Sequence, residues 1–383
     1  MLKIAIVGCG KIADAHASQI SRIDNCEIVA VCDREPLMAR QLSDRFRVQN
    51  HFSDLTELLH ESQPDVVHIT TPPDSHFDIA RLCLESGCHV YVEKPFTLDA
   101  VQACRLLALA NERKRKITVG HDDQFSPVAR RMRSLVQSGF LGDCPIHMES
   151  HYCYDVPQSG YAAALFTDKK HWVRRLPGQL LQNVISHGIA RIAEFLVGDS
   201  PQVVAMGFVS PALRSLGEDA IIDELRVIIS DERGTTAYFT FSSRMRPSVH
   251  QFCIYGTENG IALDQDHETL VRLQGQKLKS YLDKFIPPLT LAQQYVSNAA
   301  TNIRSFLARD FHMKSGMKYL VESFYRSIAE DCAVPIPYRE ILLTTTIMDE
   351  IFRQLKSREV QADCNIGHNN MSVIEHTRSS AAV

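Results

Sequence analysis

Short apolar runs punctuate the first third of the chain at regular spacing, and between them apolar and polar positions follow a helical period. Ile4 to Val7, Glu27 to Cys32, Asp65 to Thr70, His89 to Val92 and Ile117 to Gly120 read as buried strands, with a further short segment near 50–52. The stretch 35–46 reads as a helix, as does a segment opened by Ser53 with Thr56 and Glu57 close behind. Thr71, Pro72 and Pro73 stop one strand, and His76 falls in the first turn of the helix that follows. Strands and helices alternating in this way predict an α/β unit with a doubly wound parallel sheet, whose loops gather around one crevice at the carboxyl ends of the strands.

Past Gly120 the pattern changes. A helix over 126–138 leads to an alternating strand over 145–154, then to a loop rich in Asp, Lys and Arg that holds the only tryptophan, Trp172. One helix is predicted over 179–196, followed by strands at 203–209, 223–230, 235–242 and 249–255, with turns at 231–234 and 257–260. Runs of strands after a helix predict an α+β domain with an open, mostly antiparallel sheet, one face of which must be covered. Residues 266–311 read as a packed surface excursion with an amphipathic helix or two over 289–307. Helices over 313–330 and 338–356 are separated by Pro335 and Pro337, and the polar stretch from Ser357 reads as disordered. The expected division is a first domain over 1–121, a second domain over 122–356 whose last helices are free to pack back on the first, and a tail over 357–383.

Composition narrows the picture by exclusion. At 383 residues the chain can hold two cores, and a net charge of -4 gives no electrostatic reason for a nucleic-acid partner. No apolar window is long enough for a membrane helix, and the opening MLKIAIV enters a strand with no secretory pattern. The eleven cysteines include no CxxC pair and are scattered through apolar elements, so they read as buried thiols of a reducing cytoplasm, with neither a disulfide frame nor a metal site.

The chemistry begins at Gly8, Cys9 and Gly10. Strand, glycine turn and helix suit a dinucleotide: Gly8 makes the turn, Gly10 lets the backbone approach a pyrophosphate, and Ala13 allows close helix packing. The phosphates would lie on the N–H groups of the helix start, at Lys11 and Ile12. Asp33, at the tip of the second strand, can accept both ribose hydroxyls of an adenosine and would repel a 2′-phosphate. That favours NAD over NADP, although Arg34 beside it could pair with a phosphate or lie along the adenine.

With Gly8 to Ala13, Asp33, Thr71 to His76, and Glu93, Lys94 and Pro95 in sequence, the chain resembles the Gfo/Idh/MocA oxidoreductase family, and the likeness extends through the Trp172 loop, Gly178 to His187 and 316–327. The resemblance implies a Rossmann-type first domain, NAD(P)-dependent chemistry on sugars, inositols or nucleotide-linked sugars, and a homo-oligomer joined through the open sheet. It places Thr71, His76 and Glu93 near the cofactor. Lys94 matches the family lysine that contacts substrate hydroxyl and nicotinamide ribose, and His187 matches the catalytic histidine. The chain departs from the pattern with Asn183 where many members carry an aspartate, Ile185 in place of a glycine and Ala190 in place of an acid. It also has Asp122, Asp123 and Gln124 where many carry Asn and Arg.

Oxidation of a secondary alcohol needs a hydride acceptor and a base for the hydroxyl proton. His187 is expected to be that acid/base and Lys94 to orient the oxygen. Asn183, four residues earlier and so on one helix face, would hold the substrate or the imidazole. Asp123 and Gln124 are either sugar ligands or solvated loop. Trp172 and Arg174 are either an exposed basic loop or a stacking face and an anion-binding group. Two other readings stand beside the dehydrogenase: a glycosidase or lyase that oxidises transiently with no net NADH, and a non-catalytic NAD-binding sensor.

Overall fold

The computed structural model describes residues 1–154, 165, 168–275, 279, 281–308 and 315–357. The first unit runs β1 (Leu2–Val7), α1 (Lys11–Ile20), β2 (Cys26–Cys32), α2 (Pro36–Phe46), β3 (Asn50–Phe52), α3 (Leu55–Ser62), β4 (Val66–Ile69), α4 (His76–Glu85), β5 (His89–Val92), α5 (Ala100–Glu112) and β6 (Ile117–Val119). Its six strands are parallel in the order β3-β2-β1-β4-β5-β6. The order reverses between β1 and β4, so the crevice of this Rossmann-type sheet opens where Gly8 and Thr71 end those strands. Both faces of β4 are buried, which is why its sequence lacks alternation. The helix after β3 is capped by Asp54, which accepts from the Glu57 N–H at 2.9 Å, and not by Ser53. The carboxylate supplies the acceptor that the orphan N–H groups of a first turn require, one residue later than expected.

The second unit contains α6 (Pro127–Gln137), β7 (His147–Cys153), α7 (Gln179–Val184), α8 (Ser186–Phe195), β8 (Gln202–Phe208), α9 (Pro211–Ser215), β9 (Glu224–Ser230), β10 (Thr236–Ser242), β11 (Val249–Tyr255), β12 (Asn259–Asp264), β13 (Thr269–Gln274), α10 (Leu282–Leu307), α11 (Ser315–Ala329) and α12 (338–357). The sheet order is β13-β12-β11-β7-β10-β9-β8, with one parallel pair, β7 and β10. The predicted helix over 179–196 is two helices that meet at Ile185, where ψ is -14°. The second lies hard on the sheet, because a side chain at Gly188 would come within 2.5 Å of the Phe239 ring.

Residues 266–311 depart most from expectation. They contain an edge strand, β13, and the 26-residue helix α10. The glycine turn before β12 hid a hairpin whose strands are short. Along α10 the side-chain amides of Gln294, Asn298 and Asn302 bond the backbone of Arg272, Leu270 and His267 at 2.8–3.3 Å. The helix's other side carries exposed Phe285, Leu289, Val296 and Ile303. Met317, Leu320, Val321, Phe324 and Tyr325 of α11 join the core of the first sheet, while Ile347, Met348, Ile351, Phe352 and Leu355 of α12 join the second. The last two described helices thus strap the two cores together. No described helix is long and apolar enough to cross a membrane. The tail over 358–383 and most of the loop over 155–167 lie outside the described residues.

Candidate active site

The crevice is built first by glycine. Gly8 has φ +93°, and a β carbon there would sit 2.7 Å from the Thr71 backbone N. Gly10 differs: its φ is -76°, it begins α1 without a side-chain cap, and nothing lies within 4 Å of where its β carbon would be. The first turn of α1 therefore offers its N–H groups, including those of Lys11 and Ile12, to an open approach. That is what a pyrophosphate needs. Asp33 lies alongside, its Oδ2 accepting from the Cys9 N–H at 2.7 Å and its Oδ1 from the Glu35 N–H at 2.9 Å. Each carboxylate oxygen keeps a second lone pair, so ribose hydroxyls fit as additional donors. Arg34 is exposed beside it.

On the far side of the crevice, Lys94 leaves the end of β5 and its Nζ donates to the Asn183 carbonyl at 2.9 Å. The lysine thus reaches from the first unit to the helix pair of the second. One turn on, His187 is nearly buried, with Nδ1 3.7 Å from Asp123 Oδ2 and 4.0 Å from Asp122 Oδ1. Tyr152 donates its hydroxyl to Asp123 Oδ2 at 2.8 Å, and Arg191 donates to the Asp123 carbonyl at 3.0 Å. Burial would raise the Asp123 carboxyl, but His187, Arg191 and the Tyr152 hydroxyl outweigh it and hold it well below the usual carboxylate range. His121, its ring 5.8 Å from that of His187, is pushed down to about 3 by burial and by His187.

A cleft of about 620 Å³ opens from this cluster. Asp122, Asp123, Asp266 and Glu268 line it together with Tyr152, Tyr154, His250 and Phe306. Its described walls carry four carboxylates and no lysine or arginine side chain.

Comparison with known proteins accounts for both units of the fold. The description "Oxidoreductase family, NAD-binding Rossmann fold" of GFO_IDH_MocA matches residues 2–121, and "GFO/IDH/MocA C-terminal domain" matches residues 129–262. The chain belongs to the Gfo/Idh/MocA oxidoreductase family. Inositol 2-dehydrogenase of Rhizobium meliloti is 22% identical over 311 residues, covering 80% of this chain and 88% of the relative. D-glucoside 3-dehydrogenase of Escherichia coli is 31% identical over 143 residues, 37% of this chain and 41% of that one. The WlbA dehydrogenase of Bordetella pertussis, solved with NADH and UDP-GlcNAcA, superposes with a TM-score of 0.72 at 17% identity, over 93% of this chain and 96% of that one. The protein is an enzyme of the NAD(P)-dependent dehydrogenase and reductase type acting on CH–OH groups.

As a Gfo/Idh/MocA protein the chain distributes its expected site residues unevenly. Lys94, Asn183, His187 and Asp123 come together, but Asn183 reaches Lys94 through its backbone carbonyl, and it and His187 lie on separate helices. Gln124 is buried, and its Nε2 donates to the Ala190 carbonyl and to Glu194, which ties the loop after β6 to α8. Arg174 is paired with Glu218 at 2.6 Å and with the Leu165 carbonyl, so part of its guanidinium is engaged within the protein. Trp172 packs against the second core and is absent from the described lining of the acidic cleft. His76 is fully buried, its two ring nitrogens 2.9 Å from the carbonyls of Thr71 and Pro95. It clamps the ends of β4 and β5 to each other. The residue missed as a partner of His187 is Asp122, together with Tyr152, His250 and Glu268 in the cleft. The exchange of residue types in the loop after β6 was the signal that could have found them.

Proposed function

We propose that the protein is an NAD-dependent dehydrogenase that oxidises a secondary alcohol of an uncharged sugar or cyclitol. The observation that carries this reading is His187 set against Asp122 and Asp123 one turn from the Lys94 contact. When bound at the glycine turn, the nicotinamide supplies the hydride acceptor. His187 takes the hydroxyl proton, and Asp123, fixed by Tyr152, stabilises the imidazolium that results. Lys94 orients the substrate oxygen, held in reach by the Asn183 carbonyl. The carboxylate absent at Asn183 is thereby supplied from the loop after β6, so the departure from the family pattern gives no reason to prefer the elimination reading. Four carboxylates around the cleft would repel a uronate or a diphosphate, whereas sugar hydroxyls donate well to carboxylates.

Steady-state assays with NAD and NADP against inositols, neutral glycosides, uronates and UDP-linked sugars test this. Net NADH formation is expected with a neutral member, with NAD preferred over NADP through Asp33. Turnover without net NADH would establish the elimination chemistry, and oxidation confined to a UDP-sugar would overturn the argument from the acidic cleft.

A second copy of the chain is proposed to cover the outer face of the second sheet, where Val204, Met206, Phe208, Ile228 and Tyr238 are exposed side by side on β8, β9 and β10. Light scattering of the Ile228→Asp variant should then show a smaller assembly than the native chain. An unchanged mass would place the contact elsewhere.

A further inference from the structure

Behind the crevice, four titratable side chains form a single hydrogen-bonded line through the first core. Tyr325 of α11 lies 2.8 Å from His68 Nε2 on β4, His68 Nδ1 lies 2.8 Å from His16 Nδ1 on α1, and His16 Nε2 lies 2.8 Å from Glu93 Oε1 at the end of β5. Both histidines are fully buried, and Tyr325 and Glu93 nearly so. Burial would raise the Glu93 carboxyl, but the hydrogen bond and charge of His16, with Lys94 and His187 beyond, hold it at about 2, so Glu93 only accepts and His16 donates to it from Nε2. At the two remaining contacts one proton lies between the facing Nδ1 atoms of His16 and His68 and one between His68 Nε2 and the Tyr325 oxygen, so each member of the line fixes the ring orientation of the next.

The line is fixed laterally as well. Tyr91 stacks on His68 at 4.6 Å and 7°, and the Glu93 carboxylate fills the space beside Gly120, where a β carbon would come within 2.9 Å of Oε1. The other Glu93 oxygen accepts the backbone N–H of Lys94 at 3.1 Å. Stability alone is a poor account of such an arrangement, because buried ionic networks are commonly no better than apolar residues of similar volume. What the line does is join four elements at one point: the helix of the phosphate turn, two central strands and a helix returned from the end of the chain.

We propose that Tyr325, His68 and His16 are positioning residues for the reaction, fixing Glu93 and, through its bond to the Lys94 amide, the backbone from which the lysine reaches the Asn183 carbonyl and the reacting oxygen. The proposal rests on the reading of Lys94 as part of the reaction centre. None of the three touches the acidic cleft.

The test compares Tyr325→Phe, His68→Phe and His68→Gln with Lys94→Met in the full chain. The substrate is the best neutral one from the panel, deuterated at the carbinol carbon. Loss of a sub-ångström alignment should lower kcat about tenfold in Tyr325→Phe and about a hundredfold in His68→Phe. KM for NAD and substrate should stay within about twofold, and the primary isotope effect on kcat should rise as hydride transfer slows. His68→Gln, whose amide can accept from Tyr325 and donate to His16, should recover most of the loss. Native kcat in folded Tyr325→Phe and His68→Phe would overturn the proposal, as would a His68→Gln enzyme no better than His68→Phe. Tyr325→Phe removes one oxygen and keeps the ring, so it keeps the test open if His68→Phe does not fold. A Lys94→Met enzyme with native kcat would remove the reading beneath the proposal. An inactive Lys94→Met beside a native Tyr325→Phe would remove the proposal alone.

Discussion

Replacing His187 by Asn should lower kcat by about 10²- to 10⁴-fold, the range that loss of a general acid/base produces. Asn keeps a polar side chain in the space but cannot carry a proton. Binding of NAD, whose phosphate turn lies on a different element, should be unchanged in calorimetry. Asp123→Asn should cost less, because Asp123 acts through the imidazole at 3.7 Å and Asp122 remains at 4.0 Å. It should still weaken the enzyme about tenfold, the effect of losing about 1.4 kcal/mol of imidazolium stabilisation. A His187→Asn enzyme with kcat near native would transfer the proton step to Lys94 and end the assignment made here. The pair of variants separates a base from its support, since only the first removes the site of the proton.

The two turn glycines give the second large effect, and they should behave differently. Gly8→Ala forces an L side chain to φ +93° and places its β carbon 2.7 Å from Thr71. Backbone strain of this kind costs about 1–3 kcal/mol before the clash is counted. The variant should therefore melt at a lower temperature and bind NAD weakly. Gly10→Ala meets no protein atom within 4 Å and has an ordinary φ of -76°. Its unfolding free energy without cofactor should be native to within about 0.5 kcal/mol. Yet NAD affinity should fall at least about tenfold, since the new methyl group occupies the approach a pyrophosphate uses. Titration calorimetry with a thermal melt reads both quantities. Native NAD affinity in Gly10→Ala would show that the phosphates do not lie over this turn.

These two sites also show what a sequence can and cannot disclose. Gly8, Gly10 and Asp33 belong to one strand-turn-helix-strand unit, so their placement around one turn follows from local spacing and hydrophobic period. The same is true of β1, β4 and the strand order they imply. The partner of His187 is of another kind: Asp123 and His187 are brought together by packing α8 against the loop after β6, and no local period encodes that contact. The correlated change of types, an amide at 183 and acids at 122 and 123, was a departure visible in the sequence, but it was not read as a contact. The pairing of Arg174 was hidden for a similar reason, because its partner Glu218 lies beyond four further elements, α7, α8, β8 and α9. The strand β13 escaped because its six residues, taken alone, carry too little alternation to be told from a loop.

The amides that α10 lays along β13 have a consequence for how this protein can meet copies of itself. An open sheet edge invites another strand to add to it, and uncontrolled addition is the route to aggregation. Here Gln294, Asn298 and Asn302 occupy backbone groups of the edge as a neighbouring strand would, but from a helix that presents no further edge of its own. Growth at that side of the sheet is closed off after one step, so strand addition from another copy of the chain has no free backbone to meet along β13 at Leu270 and Arg272.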